Sequence, residues 1–234
     1  MIERRPFGRL GAFCNAWLDT KYHFSFANYF DPARMGVGHL RVWNDDTIAP
    51  GSGFDPHPHR DMEIITYVRS GAISHRDSLG NVGKTEAGDV QVMHAGRGIV
   101  HAEYNEGPDP VTLFQIWIEP SERGVAPGWA TRQFPRVGNL QVLASGDATE
   151  IAAGALPLYA DATLLAGTMA AGSLLRRPLA PGRAAYIVPA SGTLRINGID
   201  IGPRDGALVR GEPDITLEVT DSAELVLVEV AVET

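Results

Sequence analysis

The chain has 234 residues, of which 44% are hydrophobic and 21% are charged, and its formal net charge is −8. This is the composition of an ordinary globular protein with an ample core, and the acidic balance argues against direct binding of nucleic acid through phosphate contacts. The single cysteine, Cys14, excludes an internal disulfide and a cysteine-based metal cluster, and it fits a reducing compartment.

The N-terminus lacks the features of an export signal. The stretch "MIERRPFGRLG" is charged and contains no apolar core of signal-peptide length. No apolar run reaches the about 18 residues that a membrane-spanning helix needs. We therefore expect a cytoplasmic protein with no membrane partner.

Stretches in which apolar and polar residues alternate predict strands through the first half of the chain. Turn signals separate these stretches, for example "LGNVG" at 79–83 and "NEGPDP" at 105–110. Short strands joined by frequent turns are typical of an all-β sandwich or barrel. The predicted strands are "MEIITYV" (62–68), "AISHRDS" (72–78), "DVQVMHA" (89–95) and "VTLFQIWIEP" (111–120).

A second set of predicted strands begins near residue 139 and repeats the order of the first. Residues 184–194 can be laid on 63–73 without a gap, so that Ser191-Gly192 meets Ser70-Gly71. Residues 202–211 then resemble 84–93, with a turn three residues shorter. We interpret this as two similar β-domains in tandem, 1–130 and 131–234, joined within the Gly/Pro-rich segment 120–139.

Histidine distinguishes the two halves, because all seven histidines lie within the first 101 residues. His57 and His59 are two residues apart, a spacing that puts both rings on one face of a strand. His101 and Glu103 repeat this spacing. Three imidazoles and a carboxylate form a credible set for a divalent transition metal, although a solvated loop beside a turn also fits the first pair.

The remaining histidines have a different interpretation. His23, His39 and His75 are expected to be packed or hydrogen-bonded rather than to bind metal. His94 ends an apolar strand, where it either lines a pocket or satisfies a loop.

The residues around these histidines carry a recognisable pattern. The stretches "HPHRDMEIITYVRSGAISHRDSLGN", "GDVQVMHAGRGIVHAE" and "LFQIWIEP" follow one another at spacings that resemble the pirin family of the cupin superfamily. The likeness covers residues 20–120 in detail, including "FANYFDP" and "LRVWNDD". The rest of the chain is similar to the second, degenerate cupin domain of bacterial pirins.

The resemblance implies a bicupin, with two tandem jelly-roll β-barrels face to face and metal only in the N-terminal barrel. It implies that His57, His59, His101 and Glu103 hold one divalent transition metal ion. Fe(II) is preferred on the resemblance, and Mn, Co, Ni, Cu and Zn remain alternatives. The general cupin pattern places a glutamate four residues after its second histidine, so Glu63 is a rival fourth ligand or a supporting carboxylate.

The resemblance also implies an activity, quercetin 2,3-dioxygenation. In this reaction a flavonol is cleaved with O₂ and carbon monoxide is released, and Glu103 or Glu63 would accept the proton of the 3-hydroxyl. A monomer acting on a small aromatic substrate is expected. The predicted pocket walls are Phe24, Phe26, Met93, His94 and Phe114.

Two other functions stay open at this point. A vertebrate pirin is regarded as a redox-responsive transcriptional co-regulator, so a metal- or redox-sensing protein with a protein partner is one alternative. A cupin enzyme that is not an oxygenase is the other. Because ligand imidazoles must be neutral, protons are expected to compete with metal below about pH 6.

Overall fold

The structure, a computed structural model, describes residues 1–135 and 138–232. As predicted, the protein is nearly all β, and its strands are divided between two similar halves. A 3-10 helix follows the first strand at Phe7–Arg9. The strands of the first half are β1 (Ile2–Arg5), β2 (Gly11–Cys14), β3 (Leu18–Tyr22), β4 (Leu40–Ile48), β5 (Ser52–His59), β6 (Glu63–Ser70), β7 (Ala72–Asp77), β8 (Val82–Glu86), β9 (Val90–His94), β10 (Ile99–Asn105), β11 (Val111–Ile118) and β12 (Gly128–Arg132).

The second half contains further strands and one short helix, α1 (Ala148–Ala152), whose first turn is capped by the side chain of Asp147. No helix in the described residues is long and apolar enough to cross a membrane. The strands are β13 (Gln141–Ser145), β14 (Leu156–Pro157), β15 (Ala162–Met169), β16 (Leu174–Pro178), β17 (Arg183–Ser191), β18 (Leu194–Ile196), β19 (Ile199–Ile201), β20 (Gly206–Arg210), β21 (Asp214–Val219) and β22 (Ala223–Ala231).

Each half forms one large and one small sheet. In the first half the large sheet has the order β12-β9-β6-β11-β4-β3-β2, and the small sheet has the order β5-β10-β7-β8. In the second half the orders are β1-β20-β17-β22-β15-β13-β14 and β16-β21-β18-β19. Strands β6 and β17 therefore occupy the same place in their sheets, as do β10 and β21, and the predicted tandem repeat is confirmed at the level of topology.

The two large sheets pack against each other. Ile65 and Phe114 of the first half belong to the same buried cluster as Tyr186 and Val228 of the second. Each large sheet is thus covered on both faces, one by the other half and one by the interior of its own barrel. This explains why the central strands are buried along nearly their whole length.

The repeat shows in detail at equivalent turns. Gly71 and Gly192 both follow a serine at the end of a central strand, and both have a positive φ, 74° and 75°. A residue with a Cβ is strained in this conformation, so glycine is required twice at the same place. The predicted match of 202–211 with 84–93 is displaced by two residues, because Thr66 pairs with Gln91 whereas Ile187 pairs with Ala207.

Two edge strands of the large sheets, β1 and β12, do not follow the predicted division of the chain at residue 130. Strand β1 pairs with β20 of the second half, whereas β12 lies in the predicted joint 120–139 and pairs with β9 of the first half. The predicted joint therefore contains a strand. The division at residue 130 stays a prediction. Strand β1 precedes it in sequence but belongs to a sheet of the second half.

Candidate metal centre

The three histidines predicted to bind metal lie together on two neighbouring strands. Strands β5 and β10 are antiparallel, with His101 directly opposite His57, and His59 follows on the same face. One nitrogen from each of the three rings lies within 4.8 Å of the other two. Because β5 is an edge strand, its prolines Pro56 and Pro58 interrupt no hydrogen bonding on the outer side of the sheet.

The ring nitrogens of this cluster are prepared for a ligand. His57 Nδ1 lies 2.7 Å from the carbonyl oxygen of Asp55, which can only accept, so Nδ1 carries the hydrogen and Nε2 keeps its lone pair. His59 Nε2 and both ring nitrogens of His101 are buried and make no hydrogen bond within the described residues. Buried polar atoms without partners are costly. A metal ion bound by the three imidazoles would supply a partner to one nitrogen of each ring.

The electrostatics of the cluster favour the ligand form of histidine. Burial lowers the pKa of His59 to about 4, and the neighbouring His57 acts in the same direction. Burial also lowers the pKa of His101 to about 3, again with help from the adjacent imidazoles. Both rings are therefore neutral at neutral pH, as metal binding requires.

Because the pKa values of His59 and His101 are lowered, we expect protons to displace bound metal at a pH lower than about 6, the value expected from sequence. Free imidazole would compete for protons near pH 6.5, but His59 and His101 stay neutral until their lowered pKa values are approached. We expect bound metal to be retained between pH 7 and pH 5 and to be lost toward pH 4. Metal content after dialysis at each pH measures this, and release that is complete by pH 6 would contradict it.

Glu103 lies in the same barrel interior but is held differently from the histidines. One carboxylate oxygen accepts hydrogen bonds from Gln91 Nε2 (2.6 Å) and Thr66 Oγ1 (3.1 Å), and the other accepts one from Gln115 Nε2 (2.5 Å). The pKa of this carboxyl is raised by burial, and nearby His75 and the hydrogen bonds from Thr66 and Gln115 offset only part of the rise. The close group of donor atoms found in the described residues comprises the three imidazoles, without Glu103.

The structure does not place Glu63 beside the three histidines, either as a fourth ligand or as a supporting carboxylate. Glu63 and Ile64 point to opposite faces of β6, and Ile64 is the one that lines the metal pocket. The Glu63 carboxylate accepts hydrogen bonds from His94 Nδ1 (2.5 Å) and from the backbone N–H of Tyr159 in the second half. It therefore joins the two halves and is separated from the metal centre by its own sheet.

The pocket beside the three histidines encloses about 210 Å³. Phe26 lines it, as predicted, together with Phe54, Ile64 and Trp117. Its polar lining residues are Asn44, Asp46, Glu103 and Gln115. Asn44, Asp46, Phe54 and Trp117 were not predicted, although the alternation in "RVWNDDTI" puts residues 44 and 46 on one face of a strand.

The other predicted wall residues lie elsewhere. Phe24 and Phe114 pack in the core between the two halves, because they point to the outer face of the first barrel. Met93 packs behind the pocket in a cluster with Ile64. His94 contacts Glu63 on the outer face, so it does not line the pocket.

His23 and His75 are packed and hydrogen-bonded, as predicted, whereas the half-exposed His39 side chain is neither among the described residues. His23 Nδ1 lies 2.9 Å from the hydroxyl of Tyr186 in the second half. His75 stacks on Trp129 with ring centroids 4.7 Å apart, and its Nε2 lies 3.0 Å from an Asp77 carboxylate oxygen. His39 lies on the surface, with Nδ1 3.6 Å from a Glu119 carboxylate oxygen.

Comparisons with known proteins show which family this chain resembles. The family model described as "Pirin" matches residues 3–118, and the model described as "Quercetinase C-terminal cupin domain" matches residues 141–230. A pirin-like protein of Caulobacter vibrioides is 53% identical over 234 residues, which cover 99% of this chain and 100% of that protein. The quercetin 2,3-dioxygenase of Escherichia coli K12 is 39% identical over 228 residues and 97% of both chains.

Solved structures show the same likeness along the whole chain. The crystal structure of YhhW from Escherichia coli superposes with a TM-score of 0.96 at 38% identity, covering 100% of this chain and 99% of that one. A second crystal structure of this bacterial pirin, in complex with nickel(II), superposes with a TM-score of 0.95 and covers 100% of both chains.

Proposed function

Because the chain belongs to the pirin family of the cupin superfamily, we propose that it is a metal-dependent dioxygenase that cleaves flavonols of the quercetin type. The observation that carries the proposal is the cluster of three imidazoles with unpartnered nitrogens at the edge of a partly apolar pocket. A curated relative with 39% identity is named a quercetin 2,3-dioxygenase.

The ligand set is proposed to be His57, His59, His101 and Glu103. Each carboxylate oxygen has two lone pairs, so Glu103 can bind a metal while it accepts hydrogen bonds from Gln91 and Gln115. Such outer partners orient a ligand and tune its basicity. Fe(II) follows from the family resemblance and nickel(II) is the ion in the Escherichia coli crystal, and three imidazoles suit both ions.

The chain's own residues would bind and orient the substrate and move its proton. Phe26, Phe54 and Trp117 offer flat apolar surfaces for an aromatic ring. A metal ion in this centre would act as a Lewis acid on the deprotonated 3-oxygen of the flavonol. Glu103, with its pKa raised by burial, would accept the proton of the 3-hydroxyl. Addition of O₂ and loss of carbon monoxide then convert the flavonol to a depside.

We expect protein loaded with Fe(II) or Ni(II) to consume quercetin in air, measured as loss of the flavonol absorbance, and metal-free protein to be inactive. The metal is required because a Lewis acid must stabilise the 3-oxygen anion that forms when Glu103 accepts the proton. Loading with Mn, Co and Cu extends the test. Absence of turnover with every one of these metals would contradict the proposed activity.

Replacing Glu103 with glutamine is expected to lower both metal affinity and turnover. The amide keeps the shape of the side chain but removes the charge that binds metal and accepts the proton. Loss of general-base catalysis alone is worth about 10²–10⁴-fold in rate. Elemental analysis and the quercetin assay measure the two effects, with the exposed Glu106→Gln as the matched control. Wild-type metal content together with a wild-type rate would refute the assigned role of Glu103.

A further inference from the structure

Two polar side chains of β4 face the metal pocket and have no part in the proposed metal site. Asn44 and Asp46 point into the first barrel and line the pocket, whereas Asp45 between them points to the other half. Both are nearly inaccessible, with exposed fractions of 6% for Asn44 and 2% for Asp46. Polar groups buried this deeply are normally hydrogen-bonded.

The side-chain oxygen of Asn44, Oδ1, is buried and receives no hydrogen bond within the described residues. Burial raises the pKa of the Asp46 carboxyl to about 7, although the Thr20 hydroxyl and Arg69 act in the opposite direction. A carboxyl in this state can donate or accept a hydrogen bond. The pair therefore offers an acceptor and an adaptable group to a molecule in the pocket.

The second barrel shows what the fold itself needs at these positions. In the first half Asn44 pairs with Gln115, which pairs with Thr66. In the second half the equivalent row is Leu165, Leu227 and Ile187. All three are buried in an aliphatic cluster that fills the second barrel.

The polar row of the first barrel and the aliphatic row of the second show which polar residues the fold itself does not need. The same sheet forms and packs with leucine where the first half has Asn44, so the fold does not require a polar row. Thr66 and Gln115 are accounted for by their hydrogen bonds to Glu103. Asn44 and Asp46 donate no hydrogen bond to that carboxylate, and their polarity needs another reason.

We propose that Asn44 and Asp46 form a recognition site for a substrate hydroxyl group distinct from the oxygen that the metal centre activates. The ligand class is a polyhydroxylated aromatic compound. The pocket volume of about 210 Å³ is below the roughly 300–1,000 Å³ typical of sites that enclose a drug-sized ligand. It therefore encloses one hydroxylated ring, and the rest of a flavonol extends through the mouth. The choice of a flavonol skeleton rests on the proposed function.

The test compares two ligands in two variants of the nickel-loaded protein without oxygen. Quercetin carries several ring hydroxyls, whereas 3-hydroxyflavone keeps the 3-hydroxyl and 4-carbonyl and lacks the others. Binding is measured by quenching of tryptophan fluorescence, since Trp117 lines the pocket. The variants are Asn44→Leu, which copies position 165, and Asp46→Leu, which keeps a similar side-chain volume but has no hydrogen-bonding atom. Asp19→Asn, exposed on the neighbouring strand, is the control.

Each variant is expected to weaken quercetin binding by about tenfold, the effect of losing one or two buried hydrogen bonds. Binding of 3-hydroxyflavone and the nickel content should stay at the wild-type level. Equal weakening of both ligands, or of neither, in the folded variants would overturn the proposal. If quercetin is bound selectively but never turned over, the recognition site stands and the dioxygenase proposal fails. If the wild type turns over quercetin but the variants bind quercetin and 3-hydroxyflavone in the wild-type ratio, the recognition site is refuted and the dioxygenase proposal stands.

Discussion

Replacing His101 with alanine is expected to lower the affinity for Ni²⁺ or Fe²⁺ by more than 100-fold and to abolish flavonol turnover. His101 lies opposite His57 and supplies one of three clustered imidazoles. Loss of an outer-sphere partner alone costs a metal site about 10–100-fold in affinity, so loss of a direct ligand should exceed this range. Elemental analysis after dialysis and titration with the metal measure the effect.

Thermal unfolding gives an independent reading of the same variant. Metal that binds only the folded protein stabilises it by about 2.7 kcal/mol at 100 times Kd. Added Ni²⁺ should therefore raise the unfolding temperature of the wild type but not of His101→Ala. His39→Ala is the matched control, because His39 is half-exposed and lies outside the cluster. An His101→Ala variant with full metal content would show that the ligands are assigned wrongly.

Replacing Asp45 with alanine is expected to lower the free energy of unfolding by about 3–5 kcal/mol, the typical cost of removing one partner from a buried ion pair. The Asp45 side chain is completely buried between the halves. It accepts hydrogen bonds from Arg69 of the first half and from Arg204 of the second, with Arg204 Nε at 2.6 Å. Without Asp45, the largely buried Arg69 would keep its charge with no partner at this place.

Denaturant unfolding of the full chain measures this cost. Asp200→Ala is the matched control, because Asp200 pairs with Arg195 at the surface, where both side chains are more than half exposed. Exposed pairs contribute about 0–1 kcal/mol. If Asp45→Ala were no more destabilising than this control, the buried pair would not be what holds the halves together.

The histidine cluster could be predicted from sequence because the spacing of its residues is local. Two pairs of residues at i, i+2 on strands give two pairs of side chains on one face, whatever the rest of the fold does. The absence of histidine after residue 101 assigns the cluster to the first half. The repeated Ser-Gly turn likewise predicts the tandem organisation, since glycine adopts a positive φ without the strain that a Cβ brings.

The pocket walls could not be predicted in the same way because the large sheets are buried on both faces. Phe24 and Phe114 are as fully buried as a barrel residue would be, yet they pack between the halves. Hydrophobicity identifies them as core but does not tell which of the two cores they occupy. Polarity does not settle the matter either, because Asn44 faces the pocket whereas Asp45, the next residue of the same buried strand, faces the other half. Alternation along β6 is more informative: because Ile64 and Thr66 face the barrel interior, Glu63 and Ile65 face the opposite side of the sheet.

The most direct test of the account is the gas balance of the reaction in a sealed vessel. Nickel- or iron-loaded protein is incubated with quercetin, and O₂ consumption, carbon monoxide release and quercetin loss are followed together. We predict equal amounts of all three for the wild type and none for His101→Ala. Quercetin loss without carbon monoxide, or equal carbon monoxide from His101→Ala, would contradict a ring-cleaving dioxygenase centred on the three histidines.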